Sequence, residues 1–393
     1  MKSNSVLIKN ADIYLESEII PRGYVLVNNG KIAEAGQDPS HILTDDIIVV
    51  NAEDGSKLIP GFIDVHIHGA AGADTMDATP EAIHTIASAL PAEGTTSFLA
   101  TTITQGVEEI EAAVINAGNY RGERSKPGEA EVLGIHLEGP FINPSKKGAQ
   151  PEKHIIAPDI ELFKKWQTVS GNSIKLVTVA PEQPNGLPFI SFLHETGVVA
   201  SMGHSDATFE QMEAAVKAGA RQVTHLFNGM RGLHHREPGV AGAALLMKDL
   251  HAEIIADGNH VRPEMIQLAV NAKGKEGIIL ITDSMRAKCM RAGTYDLGGQ
   301  EVTVENGQAL LEDGTLAGSI LKMVDSVKNM LHFTDLELAD VIRLASENPA
   351  KQLGVYDRKG SIAKGKDADL VLLNADLQIT ATYCRGASGY SLQ

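Results

Sequence analysis

Histidine and carboxylate side chains recur in this 393-residue chain at one kind of position, directly after an apolar, strand-like run. The first run ends in the His-x-His pair His66 and His68, whose side chains point to the same side of an extended segment. Later runs end at Glu138, His204, His225 and Asp283. Imidazole and carboxylate are suitable ligands for divalent zinc, iron, manganese or cobalt. The pattern predicts a site for one or two such ions.

The chemistry that such a site favours is hydrolysis by a metal-activated water. A bound divalent cation lowers the pKa of water from 15.7 toward about 7 and so supplies hydroxide at neutral pH. Asp283 follows the last run, where it could take a proton from that water and pass it to a departing amine nitrogen. Asp and Ser also favour turns and caps, so Thr282-Asp283-Ser284 taken alone has a simpler explanation. Beside the other ligands, we predict that Asp283 is the catalytic base.

These side chains can meet only if the runs before them are strands of one sheet. Eight apolar runs alternate with helical patterns, at residues 62–65, 96–100, 133–137, 175–179, 198–202, 222–226, 253–256 and 278–282. Helices are expected, for example, at residues 80–93, 158–169, 208–218 and 263–272. Eight βα units predict an α/β fold, a (β/α)8 TIM-like barrel whose active site lies at the carboxyl ends of the strands. An open doubly wound sheet is the alternative, but no glycine-rich nucleotide fingerprint follows the first strand.

Both ends of the chain differ from the middle. Short strands are expected at residues 6–9, 12–15, 24–27 and 47–50, and again at 369–373 and 379–382. Asn28-Asn29-Gly30 is a hairpin signal. We predict a small β-sandwich domain from residues 1–57 and 355–393, and a barrel over residues 58–354.

Composition excludes several classes of function. The formal net charge of −16 argues against nucleic-acid binding and against docking on an anionic membrane. With only two cysteines there is no disulfide framework, and the amino terminus lacks the apolar stretch of a signal peptide. We therefore expect a soluble, cytoplasmic protein.

The sequence also resembles a known family. The residues that carry the resemblance are PGFIDVHIHG (60–69), HLEGPF (136–141), KKGAQ (146–150), MGHS (202–205), THLFNGM (224–230), REPG (236–239), IADGNHV (255–261), ITDSMRA (281–287) and GTLAGS (314–319). They are similar to the N-acetylglucosamine-6-phosphate deacetylases, a family of the amidohydrolase superfamily. The similarity runs from about Leu7 to Arg385.

The resemblance implies hydrolysis of N-acetylglucosamine 6-phosphate to glucosamine 6-phosphate and acetate, in amino-sugar catabolism, by a homodimer. It assigns the common metal to Glu138, His204 and His225, and a second metal to His66, His68, Glu138 and Asp283. It assigns substrate binding to Ala149, Gln150, Asn228, Gly229, Arg236, His260, Leu316, Ala317, Gly318 and Ser319. The family often has His in place of Gln150 and Ala in place of Gly229.

The phosphate of such a substrate needs local donors, because the whole chain is acidic. Arg236 offers a planar fork that suits a phosphate, although a solvated surface arginine is the commoner case. His260 could add a contact. Two other functions stay open: another amidohydrolase on the same barrel, such as a cyclic amidase or a deaminase, and a carbohydrate- or metal-binding protein without activity.

Overall fold

The amino-terminal part of the chain is a run of short strands. The computed structural model describes residues 5–42 and 46–392. The strands are β1 Ser5–Tyr14, β2 Ile19–Asn28, β3 Lys31–Gly36, β4 Ile48–Asn51 and β5 Lys57–Pro60. The expected hairpin is confirmed, since β2 pairs antiparallel with β3. Asn29 and Gly30 have φ of 50° and 77°, the left-handed conformation that a tight turn between twisted strands requires.

The middle of the chain is the predicted barrel. Its strands, with one small hairpin among them, are β6 Phe62–Ile67, β7 Gly69–Ala70, β8 Ala73–Asp74, β9 Thr95–Thr102, β10 Glu131–Glu138, β11 Ile174–Val179, β12 Val199–Met202, β13 Gln222–Val223, β14 His251–Ile255 and β15 Ile278–Ile281. Strands β6 and β9–β15 pair in parallel and in chain order. A parallel bridge between Ile67 and Ser284 joins the first strand to the segment after the last. This closure confirms the barrel and excludes the open sheet.

Each of the eight predicted runs coincides with a barrel strand, but the sixth is shorter than expected. It ends at Val223, because the chain leaves the extended conformation and His225 has a φ of 31°. The side chains of the strands are almost all buried, as expected for a parallel sheet covered by helices.

Helices cover the outside of the barrel. They are α1 Pro80–Ala89, α2 Val107–Asn119, α3 Ile160–Val169, α4 Gly186–Glu195, α5 Phe209–Ala218, α6 Gly239–Leu246, α7 Pro263–Lys273, α8 Met323–Phe333, α9 Leu338–Ile342 and α10 Asn348–Gln352. All four predicted helices are present. Pro80 and Pro263 occupy the first turn, whereas Pro158 lies outside its helix because Asp159 caps it.

An antiparallel sheet that the sequence did not predict follows the last barrel strand. Its strands are β16 Gly293–Leu297, β17 Gln300–Glu305 and β18 Gln308–Leu310. Leu297, Val302 and Val304 pack in one buried cluster with Ile103 and Met285. The sheet is therefore fixed against the carboxyl end of the barrel.

Strands from both chain ends form a second sheet, as predicted. The last strands, β19 Leu370–Leu373, β20 Ile379–Cys384 and β21 Ala387–Ser391, join β1–β5 in the order β21-β20-β19-β5-β1-β2-β3, with β4 beside β1. Strand β5 lies across the predicted domain boundary between residues 57 and 58 and belongs to this sheet. Among the described residues, no helix is both long and apolar enough to cross a membrane.

Candidate active site

Six ionisable side chains meet where the barrel strands end. His66 lies in β6, Glu138 is the last residue of β10, and the others follow a strand by one or two residues: His68, His204, His225 and Asp283. All six are buried, with at most 8% of any residue exposed. The structure thus brings together every side chain that the sequence proposed as a metal ligand.

Three of these side chains form a first cluster, Glu138 with His204 and His225. Nε2 of His204 and Nε2 of His225 each lie 3.2 Å from Oε1 of Glu138. The two nitrogens are 3.1 Å from each other. Two imidazole nitrogens and a carboxylate oxygen that converge in this way are a suitable donor set for a divalent cation.

The second cluster is His66, His68 and Asp283. Nε2 of His66 is 3.4 Å and Nε2 of His68 is 3.3 Å from Oδ1 of Asp283. Glu138 belongs to both clusters, because its Oε1 is 3.4 Å from His66 and its Oε2 is 3.3 Å from His68. Nε2 of His66 is buried and makes no hydrogen bond, so it is free to ligate. The residues would therefore suit two neighbouring divalent cations, with Glu138 close to the ligand atoms of both clusters.

The side chains of the second cluster shift each other's pKa values. Burial raises the pKa of Asp283, but the charge of His66 and a hydrogen bond from His68 outweigh it and lower the pKa to about 2. Burial lowers the pKa of His68, but its hydrogen bonds with Asp283 and Glu138 raise it to about 9. Asp283 is thus ionised at neutral pH. His68 carries a proton there, which a bound cation would replace.

The backbone at three of the ligands is strained. His204, His225 and Asp283 have φ of 46°, 31° and 48°, in the left-handed region that side chains with a Cβ seldom adopt. Such conformations cost roughly 1–3 kcal/mol each and persist where the surrounding structure over-determines them. Here each one lies two residues after a strand, at a position whose side chain joins a ligand cluster.

Further polar contacts hold the ligands in place. Nδ1 of His204 bonds the carbonyl of Lys146 at 2.8 Å, and Nδ1 of His66 lies 3.0 Å from Oε2 of Glu253. Sequence reasoning missed Glu253, although a lone acidic residue in an apolar strand was a usable signal, since a buried carboxylate needs partners.

Gln150 connects the ligands to the neighbouring wall. Its Nε2 donates to Oε2 of Glu138 at 2.6 Å, and its Oε1 accepts from the backbone N–H of Thr104 at 2.7 Å. Sequence reasoning also missed Thr104, for which it offered no signal.

A cavity of about 280 Å³ opens above the ligands. Seven of the ten residues proposed to bind substrate line it: Ala149, Gln150, Asn228, Gly229, His260, Leu316 and Gly318. Ile103, Gly148, Leu297 and Thr315 complete the wall and were not proposed as site residues.

The other three proposed substrate residues are not part of this wall. Ala317 and Ser319 are buried behind it, where the N–H of Ser319 donates to the carbonyl of Asp283 at 2.7 Å. Arg236 is exposed on the loop after β13, with Nη1 2.7 Å from Nε2 of His235.

His260 is held at the cavity wall by Asp257, whose Oδ2 is 2.7 Å from Nδ1 of His260. Burial lowers the pKa of His260, but the hydrogen bond and charge of Asp257 outweigh it and raise the pKa above its ordinary value. His260 is therefore disposed to present a proton to an anionic ligand.

Comparisons with known proteins agree with this geometry. The model of the amidohydrolase family matches residues 58–388. The N-acetylglucosamine-6-phosphate deacetylase of Bacillus subtilis (strain 168) is 50% identical over 386 residues, covering 98% of this chain and 97% of that protein. The N-acetylgalactosamine-6-phosphate deacetylase of Escherichia coli O157:H7 is 40% identical over 339 residues, covering 86% and 89%.

A solved structure shares the whole architecture. A mutant N-acetyl-D-glucosamine-6-phosphate deacetylase from Mycobacterium smegmatis, in complex with N-acetyl-D-glucosamine-6-phosphate, superposes with a TM-score of 0.91 at 30% identity. The match covers 98% of this chain and 100% of that one. The chain belongs to the amidohydrolase family and, within it, to the N-acetylglucosamine-6-phosphate deacetylases.

Proposed function

We propose that this protein hydrolyses the acetamide of N-acetylglucosamine 6-phosphate to glucosamine 6-phosphate and acetate, as a step of amino-sugar catabolism in the cytoplasm. The observation that carries the proposal is the arrangement of two ligand clusters, bridged by Glu138, beneath a cavity. Its volume of about 280 Å³ is close to the lower end of the roughly 300–1,000 Å³ usual for small-molecule sites.

Two groups of side chains would bind the divalent ions. Glu138, His204 and His225 would hold one divalent ion, and His66, His68, Glu138 and Asp283 a second, with zinc, iron, manganese or cobalt as candidates. When bound, such an ion activates water and polarises a carbonyl.

Asp283 has the two properties that a proton carrier needs here. It is ionised at neutral pH, and it lies at the floor of the cavity. It would accept the proton of the attacking water and deliver it to the sugar nitrogen, because an amine leaves poorly as an anion. The same carboxylate is thus base first and acid second.

Binding of the substrate phosphate requires more cationic side chains than the cavity wall contains. Among the described residues that line the cavity there is no lysine or arginine, and His260 is the cationic candidate outside the metal clusters. Arg236 is exposed on a neighbouring loop. In the proposed homodimer, this loop of one copy would reach the cavity of the other copy, and Arg236 would there bind the phosphate.

The deciding experiment measures acetate release from N-acetylglucosamine 6-phosphate, with unphosphorylated N-acetylglucosamine as the control. We expect rapid release from the phosphorylated sugar, loss of activity after chelation and recovery with added divalent metal. Activity that survives in protein shown to be metal-free would contradict the proposal. The galactosamine epimer belongs in the same assay, because the Escherichia coli relative is named for it. Turnover of a hydantoin or an aminopurine in place of the sugars would favour a cyclic amidase or a deaminase.

A further inference from the structure

Glu253 is a fully buried carboxylate in the seventh barrel strand, β14, and it is not a member of either ligand cluster. Its Oε2 lies 3.0 Å from Nδ1 of His66 and accepts from the backbone N–H of His225 at 3.2 Å. Its Oε1 accepts from Nε2 of Gln222 at 2.5 Å. Both oxygens of Glu253 are therefore occupied as acceptors.

The two histidines that meet at Oε2 belong to different clusters. His225 is in the first cluster with Glu138, and His66 is in the second with Asp283. Glu138 joins the clusters on the side of the cavity. Glu253 does not line the cavity, and it joins the clusters through the ring of His66 and the backbone of His225.

The contact with His66 also decides which ring nitrogen is available. Nε2 of His66 faces Glu138 and Asp283, each at 3.4 Å, and it must present a lone pair to act as a ligand. The one proton of the neutral ring then lies on Nδ1, where Glu253 accepts it. A carboxylate in this position makes the imidazole a stronger ligand and fixes its orientation.

The environment of Glu253 favours this role over that of a structural ion pair. Among the ion pairs of the described residues, the one that includes Glu253 is with His66. A buried carboxylate without a lysine or arginine partner destabilises the fold unless another positive charge or a hydrogen-bond donor compensates it. The charge here lies one imidazole ring away from the second cluster.

We propose that Glu253 is a positioning residue that couples the two ligand clusters, through the tautomer of His66 and the backbone turn at His225. The inference rests on the proposed two-metal site, but not on the identity of the substrate. The negative charge of Glu253 strengthens metal binding at the cluster of His66, His68 and Asp283 more than at the cluster of Glu138, His204 and His225.

The test replaces Glu253 by glutamine, which has nearly the same shape and no charge. The hydrogen bonds can be kept, because the amide of Gln222 can turn over and offer its oxygen to the new amide. Glu182→Gln is the matched control: Glu182 also accepts three hydrogen bonds, from Asn143, Ser205 and Asp206, beside a ligand-bearing loop, but it contacts no ligand ring.

Metal-free wild type and both variants would be titrated with Co²⁺ in competition with a chelating indicator. In Glu253→Gln we expect the ion that His66→Asn also removes to bind roughly 10- to 100-fold more weakly, while the other ion changes little. Glu182→Gln should bind like the wild type. Equal affinities in Glu253→Gln and wild type, or the same loss in Glu182→Gln, would overturn the proposal.

A second measurement needs neither two ions nor catalysis. In the Zn²⁺-loaded wild type, the ring ¹⁵N signals of His66, identified by their absence in His66→Asn, should show the proton on Nδ1. A proton on Nε2 would overturn the proposal even if the protein deacetylates the sugar. Failure to release acetate would instead refute the proposed function and leave this result unaffected.

Discussion

Asp283 has two proposed roles in the site, as a metal ligand and as the catalytic base. Its side chain contacts the rings of His66 and His68, and its pKa of about 2 keeps it ionised. Asp283→Asn preserves the shape and removes the base, so kcat should fall by roughly 10²- to 10⁴-fold in protein that still folds.

Ser284→Ala is the control for that variant, because Ser284 is buried next in the chain and its hydroxyl donates to the carbonyl of Gly69. Steady-state acetate release gives kcat for both variants, and we expect the large loss in Asp283→Asn alone. A near-normal kcat in Asp283→Asn would remove the carboxylate from the mechanism.

The ends of barrel strands β12 and β13 combine a ligand with a strained backbone. His204 and His225 both have positive φ, which asparagine tolerates better than most residues. We therefore expect His204→Asn and His225→Asn each to lose the ion of the first cluster and still to fold. Elemental analysis and thermal melting in chelator measure the two effects. Metal content equal to that of the wild type would show that the site lies elsewhere.

A buried ion cluster joins the start of β10 to the segment before β19. Glu131 bonds Arg358 at 2.8 Å and Lys359 at 2.8 Å, and Lys359 also contacts Asp369. Burial raises the pKa of Glu131, but the hydrogen bond from Arg358 and the charge of Lys359 outweigh it and lower the pKa to about 2.

Glu131→Gln should lower the free energy of unfolding at pH 7 by about 3 kcal/mol, the lower end for breaking a buried pair, since Arg358 is partly solvated. Because the folded pKa is depressed, the stabilisation is complete above the ordinary pKa of 4.5. It is lost as the pH falls through about 2, so the wild type should approach the variant over that interval.

Urea unfolding of metal-free protein measures this difference without interference from ion release. Glu264→Gln is the control, since Glu264 pairs with Arg262 on the surface with both side chains exposed. Although Arg262 lowers the pKa of Glu264, water and salt screen the pair, and we expect little change. A pH-independent gap between Glu131→Gln and wild type would contradict the assignment.

The proposed role of Arg236 in phosphate binding makes a prediction about substrate selectivity. Hydrogen bonds to a charged group are worth roughly 1.5–3 kcal/mol. Arg236→Ala should therefore reduce kcat/KM for the 6-phosphate sugar about 10- to 150-fold and barely affect N-acetylglucosamine. Arg236→Lys should recover part of the loss, because an ammonium lacks the two-pronged fork.

If Arg236 serves the cavity of a second copy, two defective variants should complement each other. Arg236→Ala mixed with Asp283→Asn would form heterodimers in which one site has both an intact Asp283 and an intact partner arginine. Activity of the mixture above that of either variant is the expected result. Equal losses on both sugars, without complementation, would instead assign Arg236 a structural role.

Much of this molecule follows from local patterns. The apolar run of a buried strand and the periodicity of a helix are local, and so the eight barrel strands and four helices could be predicted. Ligand chemistry at strand ends is also local, and a barrel brings all strand ends to one rim. His66, His68, Glu138, His204, His225 and Asp283 could therefore be proposed together from the sequence.

The tertiary structure decided what depends on partners distant in the chain. The contact between Glu253 and His66 joins residues 187 positions apart and exists only because the barrel closes. Leu297 of the β16–β18 sheet packs with Ile103 and lines the cavity. The periodicity of the sequence does not predict such a contact. Arg236 lies outside the cavity of its own chain, because the direction of a loop is set by what it packs against and not by its composition.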